Sequence, residues 1–106
     1  MKRGDLVTVA VSGDYGKPRP ALVIQSDAFD RHPSVTVLPL TSEIHDTPLF
    51  RISARAGKQS GLRIPSQIMV DKATTVPRAK IGQRIGQVSD ATMHAVDAAL
   101  RGFLGL

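Results

Sequence analysis

Apolar and polar residues alternate in short bursts along most of this chain, and only the last segment changes to a helical period. Leu6-Val7-Thr8-Val9-Ala10-Val11 is rich in β-branched residues and reads as a first strand. Ser12 to Pro20 follows with two glycines and two prolines, a composition that predicts an irregular loop. Within it Pro18 and Pro20 push Lys17 and Arg19 into extended conformations, because proline closes the α region to its predecessor. Ala21 to Gln25 reads as a second strand, apolar enough for burial on both faces. Val35 to Leu40 reads as a third, with Pro39 near its end, where a missing donor is tolerable. Leu49 to Ile52 is short and alternating, and Ser66 to Val70 and Ile81 to Val88 complete about six short strands.

After Val88 the period changes. Ser89 or Asp90 can cap a helix, and Met93, Val96, Leu100, Phe103 and Leu104 then recur three and four residues apart. That stripe predicts a core-facing helix, and Gly102 and Gly105 predict a frayed last turn. Many short strands and one terminal amphipathic helix make a mainly β protein, a compact, partly open barrel with the helix laid against it.

Composition bounds the function. With 106 residues and no internal repeat or linker, residues 1–106 read as a single domain. A chain this size buries only about 60–68% of its unfolded surface, which allows one modest core. The absence of cysteine excludes disulfides, thiolate metal sites and thiol nucleophiles. No segment resembles a signal peptide or reaches the roughly 20 apolar residues of a membrane span, so a cytoplasmic protein with no membrane partner is expected. Net charge is +5, unevenly spread. Residues 51–84 carry eight basic groups against Asp71 alone, whereas the segments on either side each carry a net −1. Such a concentration predicts a face that meets a polyanion, with Arg51 and Lys58 among its contacts. With only 4% aromatic residues, stacking platforms cannot dominate that contact.

Side-chain chemistry adds two local features. His32, His45 and His94 lack metal-ligand spacing, no serine sits in a nucleophile elbow and no glycine cluster forms a phosphate cradle, so no metal or other cofactor is predicted. Arg19 stands between two prolines immediately before a buried strand, a rigid mount for a guanidinium that clamps phosphate. Thr41 and Ser42 place two hydroxyls at the end of the third strand, where sites commonly form. Each also has a plainer explanation: a surface ion pair for Arg19, a local turn for the hydroxyls.

Taken in order, these pieces resemble the MazF/PemK toxins over nearly the whole chain. The resemblance rests on Arg3-Gly4-Asp5-Leu6-Val7 at the start and on Arg19-Pro20-Ala21-Leu22-Val23 after a glycine-containing loop. Pro39-Leu40-Thr41-Ser42, Gln67 in a later strand and a closing helix complete it. It implies an SH3-like, partly open barrel of the CcdB/MazF type and a two-fold homodimer. It also implies metal-independent cleavage of single-stranded RNA to 2′,3′-cyclic phosphate and 5′-hydroxyl ends, and silencing by a cognate antitoxin through an acidic C-terminal segment. On this resemblance Arg19 matches the catalytic arginine and Thr41 the catalytic threonine, with Lys17, Ser42 and Gln67 beside them on the RNA. Asp14 falls where some members carry a loop glutamate, five residues ahead of the arginine. The chain departs from the pattern at Ser66, where some relatives have aspartate, and at Met69, where an arginine is common, so those two roles do not transfer. Two other readings stay open: a non-catalytic CcdB-like gyrase poison acting through the end of its helix, and a plain SH3-like nucleic-acid-binding module.

Overall fold

The computed structural model describes residues 1–10 and 17–106. Among them the chain forms seven strands and one α-helix: β1 (Asp5–Ala10), β2 (Pro18–Val23), β3 (Ser34–Thr41), β4 (Arg51–Ala54), β5 (Ser66–Met69), β6 (Thr74–Pro77), β7 (Ile81–Gln87) and α1 (Asp90–Leu104). The strands make one antiparallel sheet in the order β4-β5-β3-β2-β1-β7, with β6 pairing to β3 beside that path. Among the described residues the sheet does not close on itself, in keeping with the expected partly open barrel.

Alternation along the central strands supplies both faces of the sheet with apolar side chains. Leu6, Leu22, Leu38 and Leu40 point to one face, where they pack with Ile68, Val70 and Val96. Val7, Val9, Ala21, Val23, Val35 and Val37 point to the other, beneath Val76 and Ile81. Burial of β2 on both faces thus follows its sequence. The missed strand is β6, whose Thr74-Thr75-Val76-Pro77 is mostly exposed and too polar to stand out. It forms because β3 offers an edge, with Val35 opposite Val76 and Val37 opposite Thr74.

Other boundaries moved for identifiable reasons. The irregular loop expected through Pro20 ends earlier, since β2 begins at Pro18 and pairs Pro18 with Ala10 and Pro20 with Thr8. Its ladder to β3 starts only at Ala21–Pro39, so both prolines lie where β2 has an open edge and a missing N–H is harmless. The expected strand at Leu49 shifts to Arg51–Ala54, leaving Leu49 84% exposed. In α1 the Ser89 hydroxyl accepts from the Thr92 N–H at 3.1 Å, the predicted cap. The last turn is not frayed: the helix runs through Gly102 to Leu104, and Gly105 (φ +72°) closes it with its N–H on the Arg101 carbonyl. The apolar stripe serves the core as far as Leu100, because Val96 is buried and Met93 and Leu100 pack beside it, whereas Phe103 and Leu104 are more than half exposed.

One backbone contact fixes the connection between β4 and β5. Gly61 (φ +73°) lies against the Ile85 carbonyl, and buried Gly86 lies against the backbone of Gln59 and Ser60. The Gln87 N–H donates to the Gln59 carbonyl at 2.9 Å across the same seam. A Cβ at Gly86 would meet main-chain atoms, which cannot rotate aside. Gly86→Ala should therefore cost about 1–3 kcal/mol. Gly102 faces open space within α1, so Gly102→Ala should add about 0.8–1 kcal/mol. Thermal melts that moved both variants in the same direction would contradict this packing.

Candidate active site

β3 has one partner, β2, along one edge and two along the other. Ser34 to Val37 pair with β6, while Leu40 and Thr41 pair with β5. Between these ladders lies Pro39, which has no N–H to offer, and there the chain leaves the sheet through a 3-10 turn, Val70–Lys72. The detour opens a hollow of about 330 Å³ beside the end of the second core. Val9, Ala21 and Val37 line its apolar side, and Arg19, Thr41, Lys72 and Thr74 supply its polar groups.

Strand register brings the two principal candidates together. Ala21 pairs with Pro39, and two further residues along the same alignment set Arg19 level with Thr41. Neighbouring strands lie about 4.8 Å apart, and both residues occupy odd positions in strands whose odd positions face the second core. Arg19 and Thr41 also line an adjoining hollow of about 230 Å³ with Ser42, Leu62, Arg63, Ile64 and Ser66. The pair therefore stands on the ridge shared by two depressions. Thr41 pairs with Gln67 on its other side. Its hydroxyl oxygen accepts from the Glu43 N–H at 3.1 Å, the local turn that a hydroxyl here was equally expected to make. That bond fixes the oxygen and leaves the O–H proton available for donation.

Gln67 is buried, and its side-chain amide is spent on the main chain. The carbonyl oxygen accepts from the His45 N–H at 3.1 Å, and the amide nitrogen donates to the His45 carbonyl at 2.8 Å. Gln67 thus pins the segment that follows Thr41 through one N–H and one lone pair of its amide. Ser42 sits at the mouth of the second hollow, and Lys17 is exposed just ahead of β2. Asp14 lies outside the described residues.

The basic stretch does not form a single face. Arg51 is largely buried, 3.5 Å from the Asp71 carboxylate and 6.0 Å from the Phe50 ring centre. Arg84 pairs with Asp5 at 3.1 Å, and Arg78 donates to the His32 carbonyl at 2.9 Å. Lys58 and Arg55 line a different and larger hollow of about 520 Å³, between residues 53–60 and the start of α1. Size alone would favour that hollow, but neither Arg19 nor Thr41 lines it. The cations that do join the pair are Arg63 and Lys72, which make no ion pair among the described residues. Nothing in the sequence separated these two from Arg51 and Arg84, since the distinguishing feature is a carboxylate brought in by folding.

Residues 2–104 match the family described as the PemK-like, MazF-like toxin of type II toxin-antitoxin systems. The probable endoribonuclease MazF of Mycolicibacterium smegmatis is 47% identical over 107 residues, covering 100% of this chain and 98% of that protein. Endoribonuclease EndoA of Bacillus subtilis is 30% identical, covering 100% of this chain and 96% of its own length. In three dimensions the chain is similar to an endoribonuclease in complex with its cognate antitoxin from a mycobacterial species. That likeness has a TM-score of 0.82 at 24% identity and covers 100% and 96% of the two chains, which shows the shared fold. The chain belongs to the PemK-like, MazF-like toxins of type II toxin-antitoxin systems.

Proposed function

We propose that this protein is the toxin of a toxin-antitoxin pair, an endoribonuclease that cuts single-stranded RNA at the Arg19–Thr41 ridge without a metal ion. The observation that carries the reading is the placement of these two side chains level on adjacent strands, facing the same pair of hollows. The relatives at 47% and 30% identity are both named endoribonucleases, which supports it.

RNA brings its own nucleophile. The 2′-oxygen attacks the adjacent phosphorus, the bond from phosphorus to the 5′-oxygen breaks, and the products are a 2′,3′-cyclic phosphate and a 5′-hydroxyl. The protein has to hold the 2′-oxygen in line and stabilise the charge that builds on the non-bridging oxygens. Arg19 supplies a permanent, multidentate cation for that charge. Thr41 donates its O–H to a phosphate oxygen or holds the 2′-OH. Arg63, in the smaller hollow, attracts the flanking backbone. Among the described residues neither hollow is lined by a carboxylate or an imidazole, so its donors suit an anion rather than a metal ion. Asp14 is the candidate the sequence offers for accepting the 2′-OH proton.

Assembly and silencing belong to the same proposal. Ile44, Leu49, Ile64, Phe103, Leu104 and Leu106 are all more than half exposed, apolar surface that a two-fold homodimer and an antitoxin would cover. The antitoxin partner is supported by the similar structure, which is a complex with one. Its acidic segment would compete with RNA for Arg19, Arg63 and Lys72. No helix of the described residues is long and apolar enough to cross a membrane. The exposed helix end around Phe103 also suits a CcdB-like poison that docks on gyrase, and the first assay below separates the two readings.

Purified protein incubated in EDTA with a long single-stranded RNA should leave cyclic-phosphate ends, whereas a gyrase poison or a plain binding module would leave it intact. Arg19→Ala should lower the rate on the order of 10²- to 10³-fold with an unchanged melt, since Arg19 is exposed and outside the core. A variant that retained more than about a tenth of the rate would refute its assignment.

Light scattering after gel filtration should report two copies at micromolar concentration. With the cognate antitoxin the mass should rise at 0.1 M salt. The complex should weaken at 1 M, where the Debye length falls from about 10 Å to about 3 Å. A monomer, or a complex indifferent to salt, would count against this part of the reading.

A further inference from the structure

Resting on the nuclease reading above, we infer that the larger hollow beside Arg19 and Thr41 is a nucleobase subsite read by Lys72. The base it selects carries a keto oxygen where guanine has O6 and uracil has O4. Adenine and cytosine, which carry an amino group at that position, are disfavoured.

The two hollows differ in chemistry although they share a ridge. The smaller one offers Ser42 and Arg63 together with the shared pair, donors suited to backbone phosphate. The larger one, at about 330 Å³, is walled by Val9, Ala21, Val37, Pro39, Leu40 and Met69. A phosphate placed there would lose water on its apolar side without recovering hydrogen bonds. A base suits it, because its faces are apolar and its polar atoms lie on its edge. Among the described residues the hollow is walled by aliphatic side chains and by the polarisable thioether of Met69, which would grip the faces of a base.

Lys72 is held at the rim by the turn that carries it. Val70, two residues earlier, is fully buried, and its N–H donates to the Phe50 carbonyl at 2.9 Å. Asp71 is tied to Arg51 at 3.5 Å. With its two predecessors anchored on the β4 side, Lys72 is left exposed on the hollow, where it makes no ion pair among the described residues. An ammonium has three donors and no acceptor. A keto oxygen satisfies it, whereas an amino group would set donor against donor and leave both unpaired. Thr74, on the same rim, has a hydroxyl that donates or accepts and so does not discriminate. With Arg19 and Thr41 assigned to the scissile phosphate on the shared ridge, selectivity at this position falls to Lys72.

The test is cleavage of a random-sequence RNA pool by wild type, Lys72→Met and Lys72→Arg, with the cut ends sequenced. Wild type should favour guanine or uracil over adenine and cytosine at one nucleotide flanking the cut. Lys72→Met should reduce that preference about five- to tenfold, the low end for one base-edge contact. Lys72→Arg should keep it, since a guanidinium also only donates. Thermal melts of all three should coincide, because the side chain is exposed. If wild type cuts with no such preference, or Lys72→Met keeps it in full at a lower rate, Lys72 does not read a base and the inference is wrong. If wild type cuts no RNA at all, the nuclease reading itself fails and this inference falls with it.

Discussion

β3 is hydrogen-bonded to β2 along one edge and to two different strands along the other, and the break between those two partners makes room for chemistry. A strand with one continuous partner would have presented a flat, filled face. Here Pro39 has no N–H for the ladder, the chain detours through Val70–Lys72, and a hollow opens in front of Arg19 and Thr41. The same register that buries Leu22 against Leu38 and Val23 against Val37 also sets Arg19 level with Thr41. A one-residue slip of β2 against β3 would turn one of the pair to the opposite face and damage both cores as well. Packing and the proposed site therefore constrain the same alignment, and the apolar residues of β2 and β3 help to specify the Arg19–Thr41 ridge.

The electrostatics show how little a charge count says about where the charge acts. The excess of basic groups in residues 51–84 is real, yet folding spends part of it. Asp71 takes Arg51, Asp5 takes Arg84, and the His32 carbonyl takes Arg78. Arg55 and Lys58 are carried to a separate hollow at the start of α1. Arg63 and Lys72 are what remains near the ridge, and they are brought there by two different connections, β4 to β5 and β5 to β6. The Arg51–Asp71 contact still serves the site indirectly, because it holds the turn that presents Lys72.

Features that depend on local rules were readable in the chain. β-Branched and apolar runs located β1, β2 and β3, the switch to a helical period located α1, and Ser89 announced its cap. Arg19 and Thr41, noted at the Arg-Pro and Thr-Ser steps, line the same two hollows. Features that depend on partners were not readable. β6 exists because β3 has an edge to offer, so its own composition is uninformative. The two bonds by which the Gln67 amide pins the His45 main chain, 22 residues away in sequence, had no local signal either. Phe103 and Leu104 continue the apolar stripe of α1 past the end of the sheet, where there is no core left to receive them.

The claim that Arg19 and Thr41 act as one unit is tested most directly by a double-mutant cycle on cleavage rate, using Arg19→Ala, Thr41→Val and the double variant. Groups that stabilise the same transition state are strongly non-additive, and residues in contact typically couple by about 0.5–3 kcal/mol. The account predicts that the double variant is scarcely slower than Arg19→Ala alone, with Thr41→Val impaired in an otherwise intact protein. Free-energy losses that simply add would mean that the two side chains serve separate steps or separate ligands, and would contradict the site described.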